Sequence, residues 1–269
     1  MNLKDRVAVI TGAGSGIGRA TALSLARRGC HLALADINAA GLAESQAQVL
    51  SAGARVSSHR LDVADREAVA ALPADILATH GRVDLLVNNA GVALGGNFEQ
   101  VSEADFDWLF EINFHAVVRM TRAFLPLLRA SDDARIVNIS SVFGLISPPG
   151  QSAYSASKFA VRGFSNALRH ELSGTRVGVS VVHPGGVATA IVRNARVSAG
   201  TSAEEKRRRL ALAEKLLRLP PTMAAEIIVR GIEKRRARIL VGREAVFIAL
   251  IERLFPVRYW SVLGRGIQS

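Results

Sequence analysis

The chain of 269 residues contains a single cysteine, Cys30, which excludes an internal disulfide and any zinc site built from several thiolates. So little cysteine is typical of a reducing compartment. No apolar run approaches the roughly 18 residues of a membrane span, and the run that follows Lys4, Asp5 and Arg6 is too short for a signal peptide. We therefore expect a cytoplasmic protein that touches a membrane at most peripherally, through its surface.

Aromatic residues are scarce, at 5% of the chain, whereas the formal net charge is +11. A surface that binds nucleic acid by stacking needs aromatic residues interleaved with basic ones. The tight basic groups, at 207–209 and 234–238, have no aromatic residues among them. We therefore predict a solvated basic surface and no nucleic-acid partner.

Short apolar or β-branched runs alternate with longer helical patterns over most of the sequence. This alternation predicts right-handed strand–helix–strand units and a parallel sheet covered by helices on both faces. The expected fold class is α/β, with a single doubly wound domain of about seven strands over residues 1–243. The predicted strands include 6–11, 31–36, 55–61, 83–88, 135–140, 177–182 and 238–241, and the predicted helices include 17–28, 39–51, 103–112, 116–128, 151–172 and 224–234.

The regular alternation stops at Pro184 and resumes near Ala224. Between these points, apolar residues at helical spacing predict an amphipathic helix over 202–219 at the end of the sheet. We expect 187–219 to form a substrate loop or lid. Residues 244–269 make an apolar and basic tail, for which three locations are open: the same domain, a partner subunit or a membrane surface.

A glycine-rich turn joins the first predicted strand to the first predicted helix, with the sequence Thr11-Gly12-Ala13-Gly14-Ser15-Gly16-Ile17-Gly18. Glycine permits a tight turn and a close approach of the backbone to a pyrophosphate, which a helix N-terminus also attracts. Asp36 ends the second predicted strand, where it is either a turn residue or a ligand of the adenosine ribose. Its carboxylate repels a 2′-phosphate and Ile37 cannot neutralise one, so NAD is favoured over NADP.

Together these motifs resemble the short-chain dehydrogenase/reductase family over nearly the whole chain, from Val7 to about Val241. The resemblance rests on the spaced glycines, Asp62-Val63, Asn88-Asn89-Ala90-Gly91, Asn113, Ser141, Tyr154, Lys158, and Pro184-Gly185 through Thr189, in that order. It implies a Rossmann fold and hydride transfer between a nicotinamide dinucleotide and a secondary alcohol or ketone. The catalytic residues it implies are Asn113, Ser141, Tyr154 and Lys158. The cofactor-binding residues are Gly12, Ser15, Gly16, Ile17, Gly18, Asp36, Ile37, Asp62, Val63, Asn89, Ala90, Gly91, Tyr154, Lys158, Pro184, Gly185, Val187 and Thr189.

Tyr154 and Lys158 lie four residues apart in a predicted helix and therefore share one face. A nearby ammonium, with the positive charge of an oxidised nicotinamide, favours the phenolate over a phenol of ordinary pKa about 10. Tyr154 is then expected to take the alcohol proton in oxidation and to protonate the carbonyl oxygen in reduction. Ser141, at the end of a predicted strand, is expected to hold the substrate oxygen, while strand alternation turns Ser140 away.

Three further polar residues, Asn113, Thr189 and His183, are also given roles. Spacing alone makes Asn113 a local cap or kink, whereas the resemblance gives it a water that relays the proton between Lys158 and solvent. The resemblance also implies that Lys158 binds ribose hydroxyls and that Thr189 binds the carboxamide. His183 is predicted to be a hydrogen-bonded structural residue. Hydride chemistry requires no metal ion, and none is predicted.

The loops at the strand ends are apolar, which predicts a bulky apolar alcohol or ketone as substrate. The tail is similar to the tails of family members that act on steroids, retinoids and other lipids. Two alternatives stay open: an NADPH-dependent reductase of 3-oxoacyl groups on an acidic carrier protein, and a catalytically lapsed NAD(H)-binding regulatory module. Because family members are commonly oligomers, we expect a homodimer or homotetramer. The predicted pocket residues are Ser141, Phe143, Leu145, Gln151, Tyr154, Ile191 and Val192.

Overall fold

A computed structural model describes residues 1–198 and 200–264, without the side chains of Arg209 and Ala213. The end of the predicted tail, 265–269, therefore lies outside the described residues. Within them, the strands are β1 (Val7–Thr11), β2 (His31–Asp36), β3 (Val56–Arg60), β4 (Leu85–Asn88), β5 (Leu94–Gly95), β6 (Ala134–Ile139), β7 (Val177–Pro184), β8 (Arg196–Val197) and β9 (Arg238–Val241). The α-helices are α1 (Gly16–Ala26), α2 (Ala39–Ser51), α3 (Arg66–His80), α4 (Glu103–Phe110), α5 (Ala116–Ala130), α6 (Ser152–Glu171), α7 (Ala203–Leu216), α8 (Pro221–Glu233), α9 (Arg243–Leu254) and α10 (Tyr259–Leu263).

Seven of the strands form one parallel sheet in the order β3-β2-β1-β4-β6-β7-β9. The sequence prediction of a doubly wound α/β fold with about seven strands is confirmed. Strands β1 and β4 are buried along their whole length, as expected for strands that are covered on both faces. The strand order changes direction between β1 and β4, and a crevice forms at such a point beyond the carboxyl ends of the strands.

Helices cover both faces of the sheet. The core on one side is built with α1, α2 and α8, and the core on the other with α3, α5 and α6. Helix α5 shows why: Val117, Met120, Phe124 and Leu128 recur every three or four residues, so they share one face of the helix, and all four are buried. The carboxyl edge of the sheet is thereby held between two rigid helical layers.

Three features differ from the sequence predictions. Helix α3 was not predicted, although Asp65 caps it by accepting hydrogen bonds from the backbone N–H groups of Glu67 and Ala68. The two-residue strands β5 and β8, which pair with each other, were also missed. The helix predicted over 202–219 ends at Leu216 and leaves Leu212 and Leu216 exposed, so its apolar stripe does not pack on the sheet as expected.

The tail folds into α9 and α10. Ala245 and Ala249 of α9 are buried, while larger apolar residues of the same helix stay exposed. Among the described residues, none of the helices is at once long enough and apolar enough to cross a membrane. The three locations predicted for residues 244–269, on their own domain, on a partner or on a lipid surface, stay predictions. The exposed residues of α9 bear on the choice between them.

Candidate active site

The glycine-rich turn after β1 leaves no room for a side chain at Gly12 or Gly18. A Cβ atom on Gly18 would stand 2.0 Å from the carbonyl oxygen of Gly12, and Gly12 itself has a φ of +64°. Ser15 precedes α1 without a side-chain cap, and the first turn of α1 carries no acidic residue. The N–H groups at this helix end are therefore free to bind an anion such as a pyrophosphate.

The same turn is tied to the end of β4 by hydrogen bonds. The Nδ2 atom of Asn89 donates to the carbonyl oxygens of Thr11 (2.9 Å) and Gly12 (3.1 Å). The hydroxyl oxygen of Thr11 accepts from the backbone N–H groups of Asn89 and Ala90. Two loops from strands distant in sequence thus form one rigid cradle in the crevice between β1 and β4.

Asp36 lies at the end of β2 and faces the glycine-rich turn. Its carboxylate accepts hydrogen bonds from the backbone N–H groups of Gly14 (2.7 Å) and Asn38 (2.8 Å). Asp36 is therefore a turn residue in this structure, one of the two roles that its position allows, and its side chain remains half-buried beside the place where a ribose would lie. Sequence reasoning missed Arg19, which donates to the carbonyl oxygen of Gly14 and pairs with Glu44.

The other predicted cofactor residues surround this cradle from several strand ends. A Cβ atom on Gly16 would meet the methyl carbon of Thr189 at 3.2 Å, so the segment after β7 closes over the turn. Ile37 and Asp62 are exposed, whereas Val63 is buried. Pro184 and Val187 are buried; Ile17, Gly91 and Gly185 are half-buried.

We predict that Gly18→Ala weakens NADH binding by about fivefold to 150-fold. The added methyl group collides with the carbonyl oxygen of Gly12, and overpacking of this kind costs about 1–3 kcal/mol, which corresponds to this range in Kd. NADH fluorescence titration measures the effect. Gly163→Ala is the matched control, because a Cβ atom on this glycine of α6 meets nothing within 4 Å. Unchanged affinity in Gly18→Ala would contradict the assignment of this turn to the cofactor.

Tyr154 lies in the first turn of α6, where three groups of residues hold its ring. The ring packs against a small cluster that includes Leu94, Leu109 and Ala153. Phe143 meets it edge-on, with ring centroids 6.1 Å apart and planes at 86°. The Ser141 side chain lies near enough to the Tyr154 hydroxyl to favour its phenolate form. The tyrosine hydroxyl and the serine hydroxyl, predicted to act on the same substrate oxygen, are brought together by the fold.

Lys158, one turn further along α6, is buried behind the tyrosine. Its Nζ atom lies 5.7 Å from the centroid of the Tyr154 ring and donates to the carbonyl oxygen of Ile139 (3.2 Å). Burial lowers the pKa of Lys158 to about 8. A Cβ atom on Gly91 would stand 3.4 Å from that Nζ, which joins the lysine to the cofactor cradle.

The acidity of Tyr154 in the protein alone is set mainly by burial. Burial raises the pKa of Tyr154 to about 12, and the nearby Ser141 side chain offsets this only in part. Lys158 alone therefore does not favour the phenolate form of Tyr154. Burial raises the free energy of the charged phenolate by more than the Lys158 ammonium, which is itself partly desolvated, lowers it.

Asn113 sits in a short π-helical turn, Glu111–His115, between α4 and α5. Its Oδ1 atom accepts from the backbone N–H of Val92 (2.9 Å), and its Nδ2 donates to the carbonyl oxygen of Val92 (3.0 Å) and to Ser157 Oγ (3.2 Å). Sequence spacing suggested a cap or a kink, and Asn113 lies at a kink, which is this π-helical turn. Such turns within helices are frequent at functional sites. Asn113 clamps the loop after β4 to α6, next to Lys158.

Ser141 follows β6 by two residues rather than ending the strand, since the strand stops at Ile139. Its hydroxyl oxygen accepts from the backbone N–H of Phe143 (3.1 Å), which leaves its own proton free to donate. Ser140 is turned away and donates to the carbonyl oxygen of Lys158. The ring Nδ1 of fully buried His183 pairs with the carbonyl oxygen of Ser141 (2.9 Å), in agreement with a structural role for this histidine.

We predict that His183 makes the protein sensitive to mild acid. Burial lowers its pKa from 6.5 to about 4, so between these values the unfolded chain binds a proton that the folded chain does not. Stability is therefore complete above about pH 6.5 and falls as the pH drops towards 4, by roughly 2 kcal/mol at about pH 5. Urea unfolding at neutral pH and near pH 5 measures this loss. In His183→Asn this part of the pH dependence should vanish; the same loss in the variant would show that other groups cause it.

The predicted substrate residues do not all lie at the surface of the site. Phe143, Gln151, Ile191 and Val192 are half-buried at the rim, whereas Leu145 is buried. A surface cavity of about 390 Å³ lies at the opposite edge of the sheet, around Arg135 and Arg176. It is not part of the candidate site.

Sequence reasoning missed two contacts made by the tail. The Oε1 atom of Glu244 accepts from the backbone N–H of Gly186 (2.9 Å), and the Tyr259 hydroxyl accepts from the backbone N–H of Ser147 (3.1 Å). The tail therefore touches a loop on each side of the site. No sequence motif marks these contacts, because they join segments more than 50 residues apart.

Known proteins resemble this chain over nearly its full length. The family model for short chain dehydrogenases matches residues 6–199. SadH of Mycobacterium tuberculosis, which is named as an oxidoreductase, is 47% identical over 272 positions that cover 99% of this chain and 96% of SadH. Human estradiol 17-beta-dehydrogenase 11 is 32% identical, over 99% of this chain and 84% of its own length.

Solved structures agree with the fold. A short-chain dehydrogenase/reductase from Burkholderia phymatum in complex with NAD superposes with a TM-score of 0.87, at 34% identity, over 94% of this chain and 95% of its own. A metagenomic short-chain oxidoreductase in complex with NADP superposes with a TM-score of 0.71, at 30% identity, over 90% and 98%. A nicotinamide cofactor is thus supported by these neighbours, whereas the choice between NAD and NADP is not resolved by them.

Proposed function

The chain belongs to the short-chain dehydrogenase family, and on that premise we propose that this oxidoreductase transfers hydride between NAD(H) and a bulky, apolar secondary alcohol or ketone. The observation that carries the proposal is the convergence of Ser141, Tyr154 and Lys158 beside the glycine-rich cradle. These residues come from the end of β6 and from α6, and they meet at the carboxyl edge of the sheet, where ligands of such sheets bind.

The role of each side chain follows from the hydrogen bonds and the charge that it can provide. The nicotinamide, when bound, supplies the hydride chemistry. Ser141 donates its hydroxyl proton to the substrate oxygen, since its own oxygen already accepts from the Phe143 N–H. Tyr154 takes the alcohol proton in oxidation and returns it to the carbonyl oxygen in reduction. Lys158 is charged below about pH 8 and stabilises the phenolate as it forms.

The preference for NAD rests on the surroundings of the expected ribose position. Asp36 presents a carboxylate there, and a 2′-phosphate beside it would be repelled. Arg19, the cation close to the turn, is already engaged by Glu44, by Ser45 and by the Gly14 carbonyl oxygen. Ile37 supplies no charge. Arg60, in register with Asp36 on the neighbouring strand β3, is exposed, so the preference rests on the Asp36 carboxylate itself.

The substrate class rests on the rim of the site. Phe143, Ile191 and Val192 present half-buried apolar side chains there, and α9 and α10 add further apolar residues beside it. The name of estradiol 17-beta-dehydrogenase 11 describes action on a bulky, largely apolar alcohol, which supports the same class for this chain. A steroid-, retinoid- or lipid-like alcohol fits these observations.

Two other functions are less well supported. A 3-oxoacyl-carrier-protein reductase would suit the basic charge of the chain, but the surroundings of Asp36 oppose NADPH. A regulatory module that binds NAD(H) without catalysis would not need Ser141, Tyr154 and Lys158 to meet.

We also propose a homodimer or homotetramer, because the outer face of α6 exposes Phe159 among small residues. Light scattering measures the mass of the assembly.

The test measures turnover of a panel of secondary alcohols with either NAD or NADP. The readout is the absorbance of the reduced cofactor. The panel pairs each bulky apolar alcohol with a small, water-soluble one of the same carbinol type. We expect turnover with NAD, and a higher kcat/KM for the bulky members. Turnover with NADPH and acyl-carrier substrates alone would favour the reductase, and tight NADH binding without any turnover would favour the regulatory module.

A further inference from the structure

The tail exposes a continuous apolar surface. Phe247, Leu250 and Leu254 follow one another at helical spacing along α9, and each is more than half exposed, at 55%, 53% and 60%. Soluble surfaces seldom carry contiguous large apolar groups without a binding function. We call this surface the tail patch and define it by its exposed members: Val246, Phe247, Leu250, Leu254, Phe255 and Val257.

Positive charge borders the tail patch. Arg243, Arg253 and Arg258 are exposed along its margin. Of the two acids in the same stretch, Glu244 is held by the backbone N–H of Gly186 and Glu252 is half-buried. An apolar helical face with an arginine margin has the composition of a helix that lies in the headgroup region of a membrane.

The charge around the tail patch decides between two possible occupants. A second copy would bring its own arginine margin against that of the first, so the two tail patches would repel each other. An anionic lipid surface is complementary to the arginines and accepts the apolar side chains at the same time. Charge complementarity thus favours lipid over self-association.

We propose that α9 and α10 dock the protein on an anionic lipid bilayer through the tail patch. The same tail touches both loops that flank the candidate active site, through Glu244 with Gly186 and Tyr259 with Ser147. Docking therefore places the mouth of the site at the lipid surface. An apolar alcohol dissolved in the bilayer reaches it without crossing water; this consequence, unlike the docking itself, rests on the proposed function.

The test measures sedimentation with vesicles of phosphatidylcholine alone or mixed with phosphatidylglycerol, without cofactor or substrate. We expect binding to the mixed vesicles, weakened by salt, and a fall of at least about tenfold in Phe247→Ser/Leu254→Ser. Leu50→Ser/Met223→Ser is the matched control, since these residues of α2 and α8 are 55% and 56% exposed outside the tail. Arg253→Glu/Arg258→Glu should weaken binding to the mixed vesicles in the same direction.

A second readout locates the contact. Trp108→Phe leaves Trp260 of α10 as the remaining tryptophan of the chain, and its emission should shift to the blue on the mixed vesicles. Absence of vesicle binding by the wild type, or equal binding by both serine double variants, would overturn the proposal. Concentration-dependent self-association that Phe247→Ser/Leu254→Ser abolishes, without vesicle binding, would identify the patch as an interface between copies. Turnover of a water-soluble alcohol should be equal in the wild type and the three double variants, which separates a failure of docking from a failure of the proposed function.

Discussion

Tyr154→Phe should lower kcat by about 100-fold to 10,000-fold, while NADH binds as tightly as to the wild type. The substitution removes one hydroxyl group, and the ring that remains still packs against Phe143 and the cluster around Leu109. Proton transfer to or from the substrate oxygen then has no partner at the position beside Ser141. Steady-state turnover with the best alcohol of the panel, together with NADH titration, measures both quantities.

The chain provides its own control for this experiment. Tyr259, the only other tyrosine in the sequence, has a hydroxyl that accepts a hydrogen bond from the backbone N–H of Ser147. Tyr259→Phe therefore removes the same atom from the edge of the site and should change kcat by only a few-fold. Equal losses in both variants would mean that the Tyr154 hydroxyl is structural, and retained turnover in Tyr154→Phe would remove it from the chemistry.

Asp84→Ala should destabilise the fold more than the loss of any exposed ion pair. This residue precedes β4 and is fully buried, where its carboxylate accepts from the guanidinium groups of Arg6 (3.0 Å) and Arg82, from the Val7 N–H (2.9 Å) and from the Ser131 hydroxyl (2.6 Å). Burial alone raises its pKa, but the hydrogen bonds from Arg82, Ser131, Val7 and Arg6 outweigh this, so the pKa is lowered. Removing one partner of a buried charge network costs about 3–5 kcal/mol. Thermal unfolding should show a fall in Tm of roughly 10 °C.

Asp132 is the matched control for this prediction. It contacts the same two arginines, Arg6 and Arg82, but its side chain is 62% exposed. Because water and salt screen an exposed pair, Asp132→Ala should leave the Tm nearly unchanged. A similar fall in both variants would show that the arginines, and not the buried carboxylate, organise this edge of the sheet. A Tm unchanged by Asp84→Ala would contradict the assigned network.

The site could be predicted from sequence where backbone sterics or helical spacing decide the arrangement. The turn around Gly12 and Gly18 has no room for a Cβ atom, and glycines at these positions, between a strand and a helix and with Asp36 at the end of the next strand, indicate the cradle. Tyr154 and Lys158 share a face of α6 because the helix period requires it. For the same reason, buried strands such as β1 could be identified from continuous apolar runs.

The acidity and the support of these groups could not be predicted in the same way. Spacing placed Lys158 beside Tyr154, but it could not show the burial that raises the pKa of Tyr154, which comes from residues distant in sequence such as Leu94 and Leu109. Spacing made Asn113 a local cap or kink, and only the π-helical turn and its bonds to Val92 show what it holds. Desolvation and long-range hydrogen bonds depend on the packed neighbourhood, which no local pattern encodes.

The sequence by itself determined the fold class through periodicity, and the cofactor cradle through a glycine-rich turn between a strand and a helix. The set of residues that meet at the sheet edge was implied by the resemblance to the family. Tertiary structure alone decided the burial of Asp84, the contacts of Glu244 and Tyr259 with the site loops, and the exposure of Phe247 and Leu254 on the tail. Burial and exposure are properties of the whole packed chain. An apolar helix looks the same in sequence whether its face is covered by its own domain or left open for another surface.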